Sequence, residues 1–371
     1  MKRISGKTLK KGALLCAMLL AASGILTACG SSSSSTASTT AAATTAAAET
    51  TAAAAETEAP AETEAAAEAE AASTWEPTQP ITIMNYVAAG GGMDVATRKF
   101  AEIAAKYTDA TIVVDNTPGA GGMTAIEYVL SQEADGYTVF AGTVSNIAYL
   151  VANEEDLDYY VWGLDWIDDI MADPYCIMVS SDSEISSVED LLAACEGGSV
   201  WCGPSTGGAK HLAALQFWNA LGIEDATWVP FESGPEALLA VIGGQGIASV
   251  GNPGDVEGRD LKSIVIATED KLANYPDVAN FADSGYAALD ELNMWRGFAV
   301  KDGTPEEMIV WFQNLVDQVT ADEEWQQFFS EKSIVVFNKK TDEFEQIIKD
   351  NIADYIDILK GLELIDAGYE G

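Results

Sequence analysis

Hydrophobic and polar positions divide the chain into three zones. Gly12 to Ile25 is an uncharged, mostly apolar stretch, Gly30 to about Thr78 has almost no large apolar residue, and the remainder alternates short apolar runs with helix-spaced ones. In that third zone, Ile81–Met84, Thr111–Asp115, Thr138–Ala141 and Cys176–Ser180 read as strands. Asp94–Tyr107 reads as a helix with Ala96, Phe100, Ile103, Ala104 and Tyr107 on one face, and Met123–Ser131 as a second helix. A further block follows: helix Val188–Cys195, strand Val200–Cys202, helix Lys210–Leu221 stopped by Gly222, strand Thr227–Val229, helix Pro235–Ile242 and strand Ser263–Ala267. Thr304-Pro305-Glu306-Glu307 marks a helix start, with Thr304 as N-cap and Pro305 at the first helical position; Met308, Phe312, Leu315, Val316 and Val319 line its inner face. Ser333–Phe337 reads as a strand, and a last helix runs from about Asp342 to Lys360 with Gly361 as its stop. Alternating strands and helices predict an α/β fold. The order fits two lobes, the first (79–177 and 296–371) completed by the C-terminal segment, the second spanning 178–295, with crossings near Met178 and Trp295.

The first two zones give an address. Lys2, Arg3, Lys7, Lys10 and Lys11 precede the apolar stretch, whose roughly 14 residues suit a signal peptide and are short for a membrane span. Leu26-Thr27-Ala28-Cys29 resembles a lipobox, so residues 1–28 are expected to leave and Cys29 to carry the lipid. The alternative is an ordinary secretory signal cut near Ala28. Residues 29–78, rich in Ser, Ala, Thr and Glu and without Lys or Arg, are expected to form a disordered acidic tether.

Charge narrows the partners. With 19 basic and 58 acidic residues the formal net charge is −39, which disfavours nucleic acid and anionic membrane surfaces. Beyond Cys16 and Cys29 the chain has Cys176, Cys195 and Cys202, with no metal-like clustering. Cys195 and Cys202 are compatible with a disulfide or with buried free thiols. A single histidine, His211, excludes a histidine-rich metal site and makes a histidine-dependent triad improbable. No cofactor motif is present.

Three glycine-rich turns join a strand to a helix: Ala88–Asp94, Asn116–Gly122, and Gly203–Gly208 leading into Lys210-His211. Each sets backbone N–H groups at a helix start, where unpaired donors and partial positive charge suit an anion. None is a Walker loop or a dinucleotide fingerprint, and no nucleophile elbow or acid–base pair stands out. Capture therefore explains the turns better than catalysis. Asp94 reads first as a helix-start carboxylate that Arg98 can pair, and second as a cleft acceptor for a ligand donor. His211 reads first as structural and second as a ligand donor. Lys210 defaults to a solvated lysine, and Trp201 and Trp295 to core residues.

These motifs together resemble those of the substrate-binding proteins of tripartite tricarboxylate transporters, the Bug receptors, from about Ile81 to the C-terminal helices. Ala89 to Arg98 is similar to the family's Pro-Gly-Gly-x-x-Asp-x-x-Ala-Arg, with Ala89 in place of Pro. Asn116–Gly122 matches its Asn-x-Pro-Gly-Ala-Gly-Gly, and Asp135–Thr138 its Asp-Gly-Tyr-Thr. Gly207, Gly208, His211 and Leu212, then Val229-Pro230-Phe231 with Gly234, then Gly243-Gly244-Gln245 and Gly303-Thr304-Pro305 also fit. Ile247 departs from the Asp often found there.

The resemblance implies a two-lobed, periplasmic-binding-protein-like fold (type II-like) with a hinge. It implies a small carboxylate, di- or tricarboxylate or related organic acid, held by backbone amides and delivered to large and small membrane subunits of a transporter. It implies no enzymatic activity. Candidate contacts in the first lobe are Gly90, Gly91 and Asp94, then Gly119, Ala120 and Gly121, then Ser145 and Asn146 beyond a strand end. In the second lobe they are Ser205, Thr206, Gly207, His211 and Gly234. A monomer anchored through Cys29 and facing outside the cytoplasm is expected. The alternatives are a receptor that reports to a sensor kinase and a secreted α/β hydrolase or transferase.

Overall fold

The structure is a computed structural model and describes residues 75–371. The expected signal segment, Cys29 and all but the last few tether residues lie outside the described residues. In chain order the first part runs β1 (Ile81–Asn85), α1 (Gly92–Ala104), β2 (Ile112–Asn116), α2 (Met123–Ser131), β3 (Thr138–Thr143), α3 (Val144–Ala152), α4 (Leu157–Tyr160) and β4 (Leu164–Pro174). The second part runs β5 (Cys176–Ser180), α5 (Val188–Cys195), β6 (Ser199–Pro204), α6 (Ala209–Leu221), β7 (Ala226–Phe231), α7 (Gly234–Ile242), β8 (Ser249–Gly251), β9 (Leu261–Ile266) and β10 (Ala279–Asn280). The chain then returns through β11 (Asn293–Lys301), α8 (Glu306–Thr320), α9 (Glu323–Ser330), β12 (Val335–Lys340) and α10 (Thr341–Gly361).

The fold is two-lobed α/β. One lobe is built on a six-stranded sheet ordered β12-β4-β11-β3-β1-β2. Here β1 runs parallel to β2 and β3, and β11 antiparallel to β3 and β4. Neighbouring residues point to opposite faces, so β1 sends Met84 to one core and Ile83 to the other, and β3 divides Phe140 from Val139 in the same way. Ile126 of α2, Ile147 of α3 and Phe344 of α10 fill the first face; Phe100 of α1, Phe312 of α8 and Trp325 of α9 fill the second.

The other lobe has a four-stranded sheet, β10-β9-β5-β8, and a pair, β6-β7. The Cys202 N–H donates to Ala248 O at 3.0 Å and the Ile247 N–H to Val200 O at 2.8 Å, which joins the pair to β8. The chain passes between the lobes at Pro174–Cys176 and again just before Asn293, where Asn293 pairs with Pro174.

Several elements differ from the pattern-based expectation. The helix expected to reach Tyr107 ends at Ala104, and Tyr107 is 41% exposed. Thr304 does not cap α8: its hydroxyl donates to Lys301 O at 2.7 Å, and Pro305 is the N-cap. Ser333 has φ +61°, so the last strand starts later, at Val335, and extends to Lys340. Asp165, Asp168 and Asp169 interrupt the apolar pattern of β4, which concealed the longest strand. Cys176, Cys195 and Cys202 are free, buried thiols.

Candidate functional site

The first glycine-rich turn leaves β1 and enters α1, whose N-cap, Gly91, offers no side chain. The carboxylate of Asp94 takes up the turn's own needs. It accepts from Gly90 N–H at 2.8 Å and from Arg98 Nε at 2.9 Å. Burial pushes its pKa up, but the bonds from Arg98, Gly90 and Asn116 and the charge of Arg98 outweigh that and leave it below the usual value. The Gly91 N–H donates to Ala88 O at 3.0 Å. The N–H groups of Gly90 and Gly91 and the carboxylate of Asp94 are thus bonded inside the turn, and the N–H groups of Gly92, Met93 and Asp94 have no acceptor among the described residues. Arg98 also donates to Asn116 Oδ1 at 2.8 Å, which ties the first turn to the second.

The second turn has four successive positive φ angles: +149° at Gly119, +44° at Ala120, +59° at Gly121 and +114° at Gly122. Glycine is required here twice over. The conformation disfavours a side chain, and a Cβ on Gly121 would lie 2.0 Å from Tyr149 Cγ, one on Gly122 2.2 Å from Asn146 Nδ2. Asn146 is fully buried; its Nδ2 donates to Gly121 O at 2.7 Å and its Oδ1 accepts from Thr143 N–H at 2.8 Å. It clamps the turn onto α3. The Ala120 and Gly121 N–H groups find no acceptor among the described residues. Thr143 Oγ1 accepts from Ser145 N–H at 3.2 Å and shares a 2.7 Å bond with the Tyr86 hydroxyl, so Ser145 and Tyr86 stand together at the end of β3.

The third turn joins β6 to α6. Ser205 and Thr206 are exposed, Ser205 with φ +39°, and Gly207 is buried with φ +77°. The Gly207 N–H donates to His211 Nδ1 at 3.0 Å. Burial holds the His211 pKa down at about 4, so near neutral pH the ring is uncharged and, with Nδ1 accepting, carries its proton on Nε2. Trp228 packs against it with ring centroids 4.9 Å apart. Gly234 opens α7 at the end of β7, with Ser233 as the cap.

Sequence reasoning missed the charged residues where the lobes meet. Arg296 of β11 is 7% exposed; its Nη2 donates to Asp173 Oδ2 at 2.9 Å and its Nη1 to Gly92 O at 3.2 Å. Burial raises the Asp173 pKa, and the charges of Arg296 and Lys210 oppose that rise. Lys210 is not a solvated lysine: its Nζ donates to Asp255 Oδ2 at 2.7 Å. Asn252 donates to Asp173 O at 3.2 Å and Pro174 O at 3.1 Å, and its N–H bonds Asp255 Oδ2 at 3.1 Å. One signal was available, since Arg296 is the only charge in the run Met294 to Val300. Trp201 and Trp295 are 0% and 1% exposed and belong to the cores.

Two surface depressions lie away from these turns, one lined by Glu76, Tyr107 and Trp311, the other by Gly198, Asp225 and Gln245. Their linings bring together no comparable set of donors at helix starts, so the turns remain the better candidate. Among the described residues no group of three or more His, Cys, Asp or Glu is placed to hold a metal, and no helix is long and apolar enough to cross a membrane.

Residues 96–364 match the model of the tripartite tricarboxylate transporter family receptor. The chain belongs to this receptor family. The receptor is also 27% identical over 259 residues to a UPF0065 protein of Bordetella bronchiseptica, across 67% of this chain and 75% of that protein. Among solved structures it is similar to a TctC solute-binding protein from Polaromonas, with TM-score 0.68 and 22% identity over 77% of this chain and 99% of the other. MatC of Rhodopseudomonas palustris with bound malate gives 0.61 and 21%, over 76% and 100% of the two chains. R. palustris Rpa4515 with adipate gives 0.62 and 20%, over 76% and 97%. The likenesses bear out the two-lobed fold, and the family makes this chain a solute-binding receptor and not an enzyme.

Proposed function

We propose that the receptor is an extracytoplasmic lipoprotein, anchored through Cys29, that captures a small carboxylate between its lobes and delivers it to the membrane subunits of a tripartite tricarboxylate-type transporter. The lobes are residues 79–177 with 296–371, and residues 178–295. One observation carries the reading: the backbone at Gly119–Gly122 is held left-handed and clamped by Asn146, with the Ala120 and Gly121 N–H groups left unused. Ala120 is exposed and Gly121 half-buried, so a rigid turn presents these donors outward, where a ligand can supply the acceptor. Ser145 and the exposed Ser205 and Thr206 add hydroxyl groups, and His211 Nε2 a neutral donor. The names of two similar proteins, one with malate and one with adipate, support a carboxylate.

The test is a thermal-shift and calorimetric screen of the full chain in detergent against malate, adipate, citrate, glutamate and benzoate. A bound carboxylate raises the melting temperature with concentration. No shift with any of the five would remove carboxylate capture as the function.

A further inference from the structure

We infer that Arg296 is the side-chain cation that receives the captured carboxylate, and that Asp173 holds it in place until the carboxylate arrives. This rests on the capture reading above. Arg296 sits opposite Thr143 in the β11–β3 pairing, beside the start of α3. Its guanidinium reaches Gly92 O at the start of α1. A Cβ on Gly92 would fall 3.1 Å from Nη1 and 3.2 Å from Nη2, so the first turn is fitted around this group. The guanidinium therefore lies between two helix starts, where the backbone already presents positive charge. A buried cation is disfavoured there unless anions face it. Asp173 supplies one, through one oxygen.

The donor count points the same way. Two guanidinium N–H groups are engaged, by Asp173 and Gly92, and the others have no acceptor among the described residues. A guanidinium is planar and forks to match a carboxylate, so the unused edge suits the same chemical group that Asp173 already presents. With net charge −39 on the whole chain, a local cation is also what an anion site needs. Neighbouring Lys210 is held by Asp255 and acts on Asp173 through its charge. The competing account is a buried ion pair that only braces the meeting point of the lobes.

The two accounts predict different signs. Full chain in detergent, wild type and with Arg296→Gln, Arg296→Lys or Asp173→Asn, is titrated calorimetrically with malate, adipate, citrate, glutamate and benzoate. For each carboxylate that wild type binds, Arg296→Gln is expected to weaken affinity by about tenfold or more, with Arg296→Lys intermediate. Asp173→Asn removes the internal competitor and is expected to tighten binding by roughly three- to tenfold, even if it lowers the melting temperature. Binding by Arg296→Gln within about twofold of wild type overturns the inference, on the scale where tenfold is about 1.4 kcal/mol. So does weakening by Asp173→Asn, the result a brace would give. If Arg296→Gln does not fold, Arg296→Lys and Asp173→Asn decide alone. Silence of wild type across all five ligands sinks the capture reading and this inference with it; binding that ignores Arg296 sinks the inference alone.

Discussion

At Gly121 a side chain would have to displace Tyr149. Left-handed backbone and overpacking together put the cost of Gly121→Val at about 2–5 kcal/mol. The expected outcome is a lower melting temperature together with loss of carboxylate binding, and adding Tyr149→Ala should recover part of the stability. No recovery in the double variant would show that the ring is not the obstacle. His211 gives a pH prediction. Its folded pKa, about 4, lies below the ordinary 6.5. The unfolded chain therefore binds more protons between those values, and stability falls as pH drops through that window, by on the order of 2–3 kcal/mol. His211→Gln should flatten the melting temperature between about pH 4 and 6.5. An unchanged slope would mean that another group titrates there. At this scale the glycines were legible, because a left-handed backbone with no room for a Cβ, as at Gly121 and Gly122, requires glycine. Arg296 was not: a single charge in an apolar strand carries no motif, and its meaning comes from Gly92 and Asp173, which are far away in sequence.

Strand β4 shows what pattern reading loses at the scale of an element. It pairs with β11 on one side and β12 on the other, so acidic residues that look solvent-facing in sequence end in the interior. Asp168 is fully buried; burial lifts its pKa to about 8, against the pull of Lys340, whose Nζ lies 3.1 Å away. The ion pair is real in distance, yet the half-exposed lysine does not offset the lost hydration. Because the folded pKa is raised, the stabilising contribution is complete below the unfolded value of 3.8 and is lost as pH rises through about 8. Asp168→Asn should therefore raise stability at pH 8 by on the order of 1–3 kcal/mol and do little near pH 4, as chemical denaturation at the two pH values would show. Destabilisation at pH 8 would mean that the charged pair stabilises this strand. Helices α1, α2 and α10 were readable because their apolar spacing survives burial on one face, whereas α6, buried on several sides, was marked by Gly222 at its end. The start of β12 was displaced because the left-handed Ser333 delays it.

For the whole molecule, the return of the chain to the first sheet was visible in the order of elements, since a second block of strands and helices is followed by another helix start. The charged groups where the lobes meet were not, because β4, which carries Asp173, was missing from the pattern. The charge of −39 has a kinetic consequence. An anionic ligand approaches against the field of the protein, and salt screens that field. The association rate of malate or adipate, followed by tryptophan fluorescence in stopped flow, should rise severalfold between about 0.02 and 0.2 M salt. A falling rate would show that the cations near the turns, Arg296 and Lys210, dominate the approach.

The turn at Gly119–Gly122, clamped by Asn146, changes what a mutational survey of this protein would report. On the proposed reading its recognising atoms are amide hydrogens, and replacing side chains leaves those in place. A systematic alanine scan would score Ala120 as no change at all. It would score the glycines as folding defects, so the surface that meets the solute would pass for ordinary scaffold. Replacing single amides by esters, or following amide nitrogen shifts during titration, would bring that surface into view.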